Sequence, residues 1–322
     1  MQRKPFNSSS EEVTILGFGC WGIGKGDWVG ADDKESLLVL RKAIDEEINF
    51  FDTAHAYGNG HSERLLGQAE KESGRKVFIA TKIPSKLREW PAADNSTLED
   101  SFPSKYIIEK TEESLRNLGR DYIDLQQFHV WNDKWADQDE WKEAISKLKQ
   151  QGKVKYWGIS INDHQPCNGI EAGKSGLISS YQVIFNIFEQ KPIEKLFPFC
   201  EKNHIGIIAR VPFDEGALTG NVDPSTSFPS GDWRNDYFQG KRKLEVKLRA
   251  DEIWKDVQNE ASSLAEAALR YTISFNQVTT VIPGMRKMKN LMANLNSIKK
   301  GPLSKTLKDK LRVHRWDKNF YE

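Results

Sequence analysis

The sequence of 322 residues has almost no charge imbalance, few cysteines and no long apolar run. Its 47 basic and 46 acidic residues leave a formal net charge of +1, which gives no electrostatic reason to expect nucleic acid or an anionic membrane as the main partner. The apolar runs are far shorter than the roughly 20 residues that cross a bilayer. The basic N-terminus is not followed by the apolar core of a signal peptide. We therefore expect a cytoplasmic globular protein with no membrane partner.

Cysteine and histidine are too sparse for a framework of disulfides or metal ligands. Cys20, Cys167 and Cys200 form no CxxC pair, which favours reduced thiols. The 6 histidines are scattered, so we expect no metal site. No domain boundary, repeat or low-complexity tract interrupts the chain, and residues 1–322 are predicted to form one domain.

What the sequence does contain is a regular alternation of short apolar runs with longer amphipathic or charged segments. Such alternation predicts an α/β fold with a parallel sheet, and eight units in about 300 residues predict a (β/α)₈ barrel. The interval after the seventh strand is unusually long and includes a polar loop over residues 223–240, which is typical of a cofactor or substrate lid. The predicted strands are residues 15–19, 50–52, 77–82, 123–129, 156–160, 181–185, 206–210 and 279–282.

A glycine motif after the first predicted strand, Gly17-Phe-Gly-Cys-Trp-Gly22, matches the G-x-G-x-x-G fingerprint of Rossmann folds. Its context differs from that fold, because no helix opens at the last glycine. The acid that should bind a ribose about 20 residues further on is also missing, since Asp52 lies 30 residues beyond Gly22. We expect instead that these glycines let the first βα loop lie flat against a ligand.

Polar side chains occur at the carboxyl ends of three neighbouring predicted strands. Asp52 ends the second strand, Lys82 the third and His129 the fourth, and Tyr57 lies in the loop after the second. In a barrel these ends converge on one mouth. Alternatively, Asp52 and Lys82 form only a structural ion pair, and Tyr57 and His129 are packed rings. A shared site is favoured, because an apolar barrel has no packing reason to collect four such residues.

The chemistry of these four residues is that of a proton donor and the groups that tune it. A tyrosine hydroxyl, with a pKa near ~10, is a poor acid at neutral pH. A lysine beside it stabilises the phenolate and lowers that pKa, and an aspartate keeps the lysine charged. A histidine opposite can orient a substrate oxygen. No Ser, Cys or Thr is evidently paired with a base, so a cofactor is expected to supply the nucleophile, most naturally a hydride.

Residues 13–295 closely resemble the aldo-keto reductase family. The motifs that carry the resemblance are Gly-Phe-Gly-Cys-Trp, Phe-Phe-Asp-Thr-Ala-x-x-Tyr-Gly, Ile-Ala-Thr-Lys, Gln-Phe-His, Gly-Ile-Ser and Val-Ile-Pro-Gly-Met-Arg. The resemblance implies a TIM barrel that reduces aldehydes and ketones with NADPH, or sometimes NADH. It also implies that Asp52, Tyr57, Lys82 and His129 form the catalytic tetrad. Tyr57 would be the general acid, and His129 would orient the carbonyl.

The resemblance also implies a cofactor site. Ser160, Asn162 and Gln182 match residues that hold the nicotinamide carboxamide, although Ile161 separates the serine and asparagine that many members have adjacent. Arg210 stands where many members place an aromatic ring that stacks on the nicotinamide, and a guanidinium can stack as well. Residues 213–220 are expected to bind the pyrophosphate. The other implied cofactor residues are Gly19, Cys20, Trp21, Val211, Pro212, Phe213, Gly216, Leu218, Gly220, Gly284, Met285, Arg286, Asn290 and Asn294.

Cofactor preference follows from the charge at the start of the last predicted helix. Arg286, Lys287 and Lys289 make it basic, which favours the 2′-phosphate of NADPH. The arginine common at the position of Asn290 and the glutamate usual at that of Ala293 are absent, so NADH stays possible. Alternatively, the basic residues only form a solvated helix start.

Substrate shape is the least determined feature. Four tryptophans lie on predicted βα loops and either wall an apolar pocket or pack separately: Trp21, Trp28, Trp90 and Trp131. The leading hypothesis is NADPH-dependent reduction of a small carbonyl compound. One alternative is a cofactor-sensing regulatory subunit with little turnover, like the potassium-channel β subunits of this family. The other is an NAD(P)-dependent sugar or alcohol dehydrogenase that works oxidatively.

Overall fold

The structure, a computed structural model, describes residues 1–26 and 28–318. Its strands are β1 (Arg3–Pro5), β2 (Glu12–Thr14), β3 (Phe18–Gly19), β4 (Phe50–Asp52), β5 (Phe78–Ile83), β6 (Ile123–Phe128), β7 (Val154–Ser160), β8 (Ser180–Ile184), β9 (Gly206–Arg210) and β10 (Val278–Val281). Strands β3 to β10 pair in parallel and in chain order. The sheet closes on itself where Gly17 N donates to Val281 O at 2.8 Å and Val281 N donates to Ile15 O at 2.9 Å. The predicted (β/α)₈ barrel is confirmed.

Helices α1 to α10 lie between successive barrel strands in the chain, and α11 and α12 follow β10. They are α1 (Asp33–Asp45), α2 (His61–Ser73), α3 (Leu98–Ser101), α4 (Ser104–Leu118), α5 (Asp139–Gln150), α6 (Ile170–Gly173), α7 (Leu196–Asn203), α8 (Arg234–Tyr237), α9 (Arg242–Val257), α10 (Leu264–Ile273), α11 (Met288–Lys299) and α12 (Lys305–Lys310). The long interval after β9 holds α8 and α9 before the barrel helix α10. Each helix within residues 1–26 and 28–318 is too short or too polar to span a lipid bilayer.

Local chemistry sets several helix ends. Asp32 caps α1, because its Oδ1 accepts a hydrogen bond from Glu35 N at 2.8 Å. Gly119 ends α4 in the left-handed region, with φ at 64°. Serine is a residue type that often caps helices, but Ser62 does not cap α2. Gly60 occupies that position, and the Ser62 hydroxyl instead donates to Cys20 O at 3.1 Å.

The barrel interior is apolar at its amino end and polar at its carboxyl end. An antiparallel hairpin of β1 and β2 covers the amino end and places Phe6 against the rings of Phe78 and Tyr156, at 4.8 and 5.2 Å between ring centres. Inward-facing side chains alternate along each strand, so Phe50 and Asp52 lie in successive layers of the same interior. The polar layer at the carboxyl end is the candidate site.

Candidate active site

The loop after β4 holds Tyr57 through close contact with the loop after β3. Gly58 has φ at 64°, and a Cβ at this position would lie only 1.8 Å from Gly24 O. A Cβ on Gly24 would lie 2.8 Å from Tyr57 Cβ. Both positions therefore need glycine for the two loops to approach each other, and this approach fixes the backbone of Tyr57.

The glycines of the first motif serve both the barrel and the cleft. A Cβ on Gly17 would lie 2.8 Å from Phe50 Cδ1, and one on Gly19 would lie 2.8 Å from Ile282 O. Their absent side chains therefore allow the first strand to pack closely against its neighbours in the barrel. Gly19 and Gly22 also line the cleft, which agrees with the expectation that this loop lies beside a ligand.

Lys82 lies at the centre of the polar layer and connects the ends of β4 and β5. Its Nζ donates to Asp52 Oδ2 at 2.6 Å, to Thr53 O at 2.8 Å and to Tyr57 OH at 3.2 Å. Lys82 and Asp52 are buried, whereas Tyr57 is half-buried and lines a cleft. The three side chains predicted to act together are brought into one hydrogen-bonded group.

The charges in this group differ from the expectation in one respect. Burial raises the pKa of Tyr57 above its ordinary value, and the Lys82 charge opposes that rise without reversing it. Burial alone lowers the pKa of Lys82, but Asp52 and then Tyr57 raise it above its usual value. At neutral pH, Lys82 is therefore a cation and Tyr57 a protonated phenol. Lys82 lowers the Tyr57 pKa as expected, but desolvation is the larger effect, so the net shift of this pKa is upward.

His129 completes the group from the end of β6. Its ring lies edge-on to Tyr57, with 5.7 Å between the ring centres. Burial lowers the pKa of His129 well below its usual value, and the charges of Lys82 and Arg210 lower it further. The imidazole is therefore neutral at pH 7 and retains one N–H donor.

Two glutamines hold the far side of Asp52. Gln182 Nε2 donates to Asp52 Oδ1 at 2.7 Å, and Gln127 Nε2 makes a longer contact with the same oxygen at 3.4 Å. Gln182 also lines the cleft, but its amide nitrogen is already bonded to Asp52 rather than available for a nicotinamide carboxamide. Gln127 was missed in the sequence, since a polar residue one layer below the strand ends shows no separate pattern.

Ser160 and Asn162 differ in whether their side-chain polar atoms are available to bind a cofactor. The Ser160 hydroxyl lines the cleft and is buried with no hydrogen-bond partner among the described residues. Both polar atoms of the Asn162 side-chain amide are instead bonded to the backbone of Trp131. Its Oδ1 accepts from Trp131 N at 3.1 Å, and its Nδ2 donates to Trp131 O at 2.9 Å. Its nitrogen also donates to Gln165 Oε1 at 3.0 Å. The structure thus favours Ser160 over Asn162 as the side chain that could contact a nicotinamide carboxamide.

Trp131 is not a pocket residue, contrary to expectation. It is fully buried and packs outside the barrel strands against Phe128, Trp135 and Trp141, with ring centres 5.1, 5.5 and 5.3 Å away. Asn162 is the residue that fixes its backbone. The loop position of Trp131 looked like that of a wall residue, but its side chain points into the helix layer.

One cleft of about 1410 Å³ opens at the carboxyl ends of the strands and contains most of the predicted residues. Besides the tetrad positions Asp52, Tyr57 and His129, its lining includes Gly19, Trp21, Trp28, Trp90, Ser160, Gln182, Arg210, Val211, Pro212, Phe213, Gly216, Gly284, Met285, Arg286 and Asn290. The predicted residues outside the lining are Cys20, Lys82, Trp131, Asn162, Leu218, Gly220 and Asn294. Cys20 and Leu218 are fully buried, so they support the loops rather than face a ligand.

The end of the cleft near β10 is basic and aromatic. The Arg286 side chain lies over Trp28 at 6.0 Å, and Arg234 from α8 lies over the same ring at 4.3 Å. Arg234 is oriented by two bonds to Asp232, at 2.7 and 2.8 Å. No sequence pattern indicates a site role for Arg234, because it lies in the long interval after β9 with no local motif.

Comparison with known proteins decides the family. Residues 15–314 match the model of the Aldo/keto reductase family. The chain belongs to the aldo/keto reductase family. The resemblance seen in its motifs is thereby confirmed, and the protein is an NAD(P)H-dependent oxidoreductase.

Three similar proteins illustrate the range of this family. Aldo-keto reductase YhdN of Bacillus subtilis (strain 168) is 31% identical over 287 residues, which span 88% of this aldo/keto reductase and 84% of YhdN. A probable voltage-gated potassium channel subunit beta of Arabidopsis thaliana is 29% identical over 317 residues, spanning 94% of this chain and 93% of that protein. The solved structure of the glycerol dehydrogenase AKR11B4 from Gluconobacter oxydans aligns with a TM-score of 0.79 and 26% identity, covering 97% of this chain and 94% of that one.

Proposed function

We propose that this aldo/keto reductase reduces an aldehyde or ketone to an alcohol with NADPH, and that Tyr57 is the general acid. The observation that supports this most is the buried Lys82 ammonium. It lies 2.6 Å from Asp52 Oδ2 and 3.2 Å from the hydroxyl of Tyr57, and Tyr57 lines an open cleft. A phenol with a cation on one side and a cleft on the other can release its proton toward a bound substrate.

Each of the four residues has a separate task in the proposed reaction. The bound nicotinamide cofactor supplies a hydride to the carbonyl carbon. Tyr57 donates its proton to the carbonyl oxygen, and the Lys82 ammonium stabilises the phenolate that this leaves. Asp52 keeps Lys82 charged and directed at the hydroxyl. The neutral His129 donates a hydrogen bond to the same substrate oxygen and orients it.

The cleft residues fit a dinucleotide along its length. We assign the nicotinamide carboxamide to Ser160, whose buried hydroxyl has no hydrogen-bond partner among the described residues. Arg286 is suited to a 2′-phosphate, with Asn290 beside it in the lining, and this supports NADPH rather than NADH. Substrate would then occupy the space beside Tyr57 and His129, where Trp21 and Trp90 provide aromatic walls.

The same residues can work in the oxidative direction, with the Tyr57 phenolate accepting a proton from an alcohol. The structural similarity to a glycerol dehydrogenase favours this as a second candidate. A regulatory role with little turnover is the third, favoured by the similarity to a potassium channel subunit beta. The tetrad geometry supports turnover over regulation, since a binding module needs no positioned acid.

A carbonyl panel measured with both reduced cofactors tests the proposal. We expect turnover of generic aldehydes such as nitrobenzaldehyde, with kcat/KM higher for NADPH than for NADH. Rates with the matching alcohols and NADP⁺ at neutral pH would show whether oxidation is faster. Tight NADPH binding with negligible turnover across the panel would contradict the proposal and support the regulatory alternative.

A further inference from the structure

Asp163, in the loop after β7, contacts both walls of the cleft at once. Its Oδ1 accepts a hydrogen bond from Arg210 Nη2 at the end of β9. Its Oδ2 accepts from Trp90 Nε1, in the loop after β5, at 3.3 Å. The Asp163 and Arg210 side chains are only 12% and 13% exposed. One carboxylate therefore links three βα loops at the mouth of the barrel.

The Arg210 guanidinium lies next to the reacting groups. Its Nη2 also donates to Ile161 O at 3.0 Å, immediately after Ser160 in the chain. Burial, then Lys82, and then the Arg210 charge lower the pKa of His129, so the guanidinium is within electrostatic reach of the imidazole. Arg210 thus adds a positive charge at the end of the cleft where the nicotinamide is assigned.

Asp163 places a negative charge in direct contact with the Arg210 guanidinium. Among the residues that the structure describes, Glu215 is a second acid near Arg210 and also lines the cleft. Burial, then Asp214 and Asp163, raise the pKa of Glu215 to about 8. Glu215 is therefore mostly protonated at pH 7, and Asp163 holds the negative charge in direct contact with the guanidinium.

Trp90 is held by the same carboxylate. The Arg210 guanidinium carbon lies 5.7 Å from the centre of the Trp90 ring, and that ring meets His129 edge-on at 4.9 Å and 77°. Trp90 is 40% exposed, and the contacts with Asp163, Arg210 and His129 help to hold its ring in place. Its ring lines the cleft beside the residues assigned to the substrate.

We propose that Asp163 neutralises Arg210 beside the nicotinamide and positions Trp90 as a specificity wall for the substrate. This inference rests on the proposed cofactor site. The nicotinamide ring is cationic in NADP⁺ and neutral in NADPH, so an unbalanced guanidinium beside it disfavours the oxidised form selectively. Asp163 thereby sets the affinity of the oxidised cofactor relative to the reduced one.

Titration calorimetry with NADP⁺ and with NADPH tests the charge balance without any turnover. In Asp163→Asn, we expect the ratio of the NADP⁺ Kd to the NADPH Kd to rise about tenfold. Arg210→Gln leaves Asp163 anionic and should lower that ratio, and the double variant should return close to the wild-type ratio. Glu171→Gln is the matched control, since Glu171 follows the same strand but pairs with Lys174 in solvent.

Substrate kinetics test whether Asp163 Oδ2, which accepts the hydrogen bond from Trp90, positions the Trp90 ring. Asparagine can still accept the Trp90 indole hydrogen bond through its carbonyl, whereas alanine cannot. We therefore expect Asp163→Ala to raise KM for a bulky aromatic aldehyde about tenfold while KM and kcat for a small aldehyde change little. Asp163→Asn should restore the discrimination between these aldehydes but not the cofactor ratio. A purely structural role would change both properties together.

The outcomes separate this inference from the proposed function. If wild-type protein binds neither dinucleotide or turns over no carbonyl, the proposed function fails. If wild-type protein binds and turns over normally, but the Kd ratio is unchanged in folded Asp163→Asn and in Arg210→Gln, this inference fails alone. Should Asp163→Asn not fold, an unchanged ratio in Arg210→Gln is sufficient to overturn it.

Discussion

The two ends of the barrel each contain a buried network of charges, and the two networks are built differently. At the amino end, Arg120 donates to both oxygens of Glu70, at 2.8 and 2.9 Å, and to Asp124 at 2.6 Å. Lys155 contacts the other Asp124 oxygen at 3.0 Å. Lys76 lies 3.8 Å from Glu70 and Lys155 also lies 3.3 Å from Glu11, so three cations face three carboxylates and the charges balance.

At the carboxyl end, the Lys82 ammonium has one carboxylate partner, Asp52, among the residues that the structure describes. Its other contacts are a backbone carbonyl and the Tyr57 hydroxyl, which is a neutral group with a removable proton. The amino-end network is completed by its own residues, whereas the carboxyl-end network changes its charge when the phenol loses a proton. The comparison indicates that burial of ions stabilises the fold at one end and prepares a reaction at the other.

Arg120→Met should break the amino-end network with the largest effect on stability. Removing one partner leaves Glu70 and Asp124 buried with fewer compensating charges, which costs about 3–5 kcal/mol of unfolding free energy. Urea denaturation measures this loss, and kcat of the folded variant should stay near the wild-type value. The control is Asp251→Asn, which removes an exposed ion pair with Lys247 and should change stability by less than about 1 kcal/mol. Equal effects of the two substitutions would contradict the comparison.

Asp52→Asn should disrupt the carboxyl-end network. Its effect should be smaller than that of Arg120→Met and should appear in kcat and in the pH dependence of kcat. We expect kcat to fall about 10- to 100-fold, because Lys82 loses the group that keeps it charged. Burial raises the pKa of Tyr57, Lys82 lowers it and Asp52 raises it again, so removing the carboxylate lowers the Tyr57 pKa while Lys82 stays charged. The pKa of Lys82 falls too, since Asp52 raises it.

Both changes in Asp52→Asn act on the same limb of the pH profile. Reduction needs a protonated Tyr57 and a charged Lys82, so activity is lost as pH rises through either pKa. The alkaline limb of kcat should therefore move to lower pH than in the wild type. A limb that stays in place or moves to higher pH would show that Asp52 does not act through these two groups.

Glu215→Gln tests how a buried carboxyl at the carboxyl end changes stability with pH. Its expected effect is the smallest of the three. The folded-state pKa of Glu215 is raised from 4.5 to about 8, mainly by burial. A carboxyl with a raised folded-state pKa contributes stability that is lost as pH rises from about 4.5 through about 8. At pH 9, the free energy of unfolding of the wild type should thus be about 1–2 kcal/mol lower than that of Glu215→Gln. This difference allows for the partial solvent access of Glu215. At pH 4 the two should match, as measured by thermal unfolding at both pH values.

The sequence predicts the barrel and its polar end well, because both follow from local patterns. The strands Phe50–Asp52 and Gly206–Arg210 have the predicted bounds, since each is a short apolar run that stops at a charged residue. The hairpin of β1 and β2 was missed. Its two strands have three residues each and include Lys4 and Pro5, so they show no strand periodicity.

The parts of the site that could not be predicted depend on contacts between distant residues. Asn162 and Trp131 satisfy each other's polar atoms across 31 positions of sequence, which no local motif reveals. Helix lengths also depend on such contacts. Within residues 165–173 only Ile170–Gly173 is helical, and residues 303–316 contain α12 followed by the 3₁₀ turn Leu311–His314. The capping and burial that decide such lengths come from the packed fold.

Tyr57→Phe gives the most direct test of the central claim, that the carboxyl-end network prepares a proton donor. The substitution removes one oxygen and keeps the ring that packs between Trp21 and His129. We expect kcat/KM for a generic aldehyde to fall at least about 10³-fold. NADPH should still quench tryptophan fluorescence, and the unfolding free energy should stay within about 1 kcal/mol of the wild type. Undiminished turnover in this variant would contradict the account.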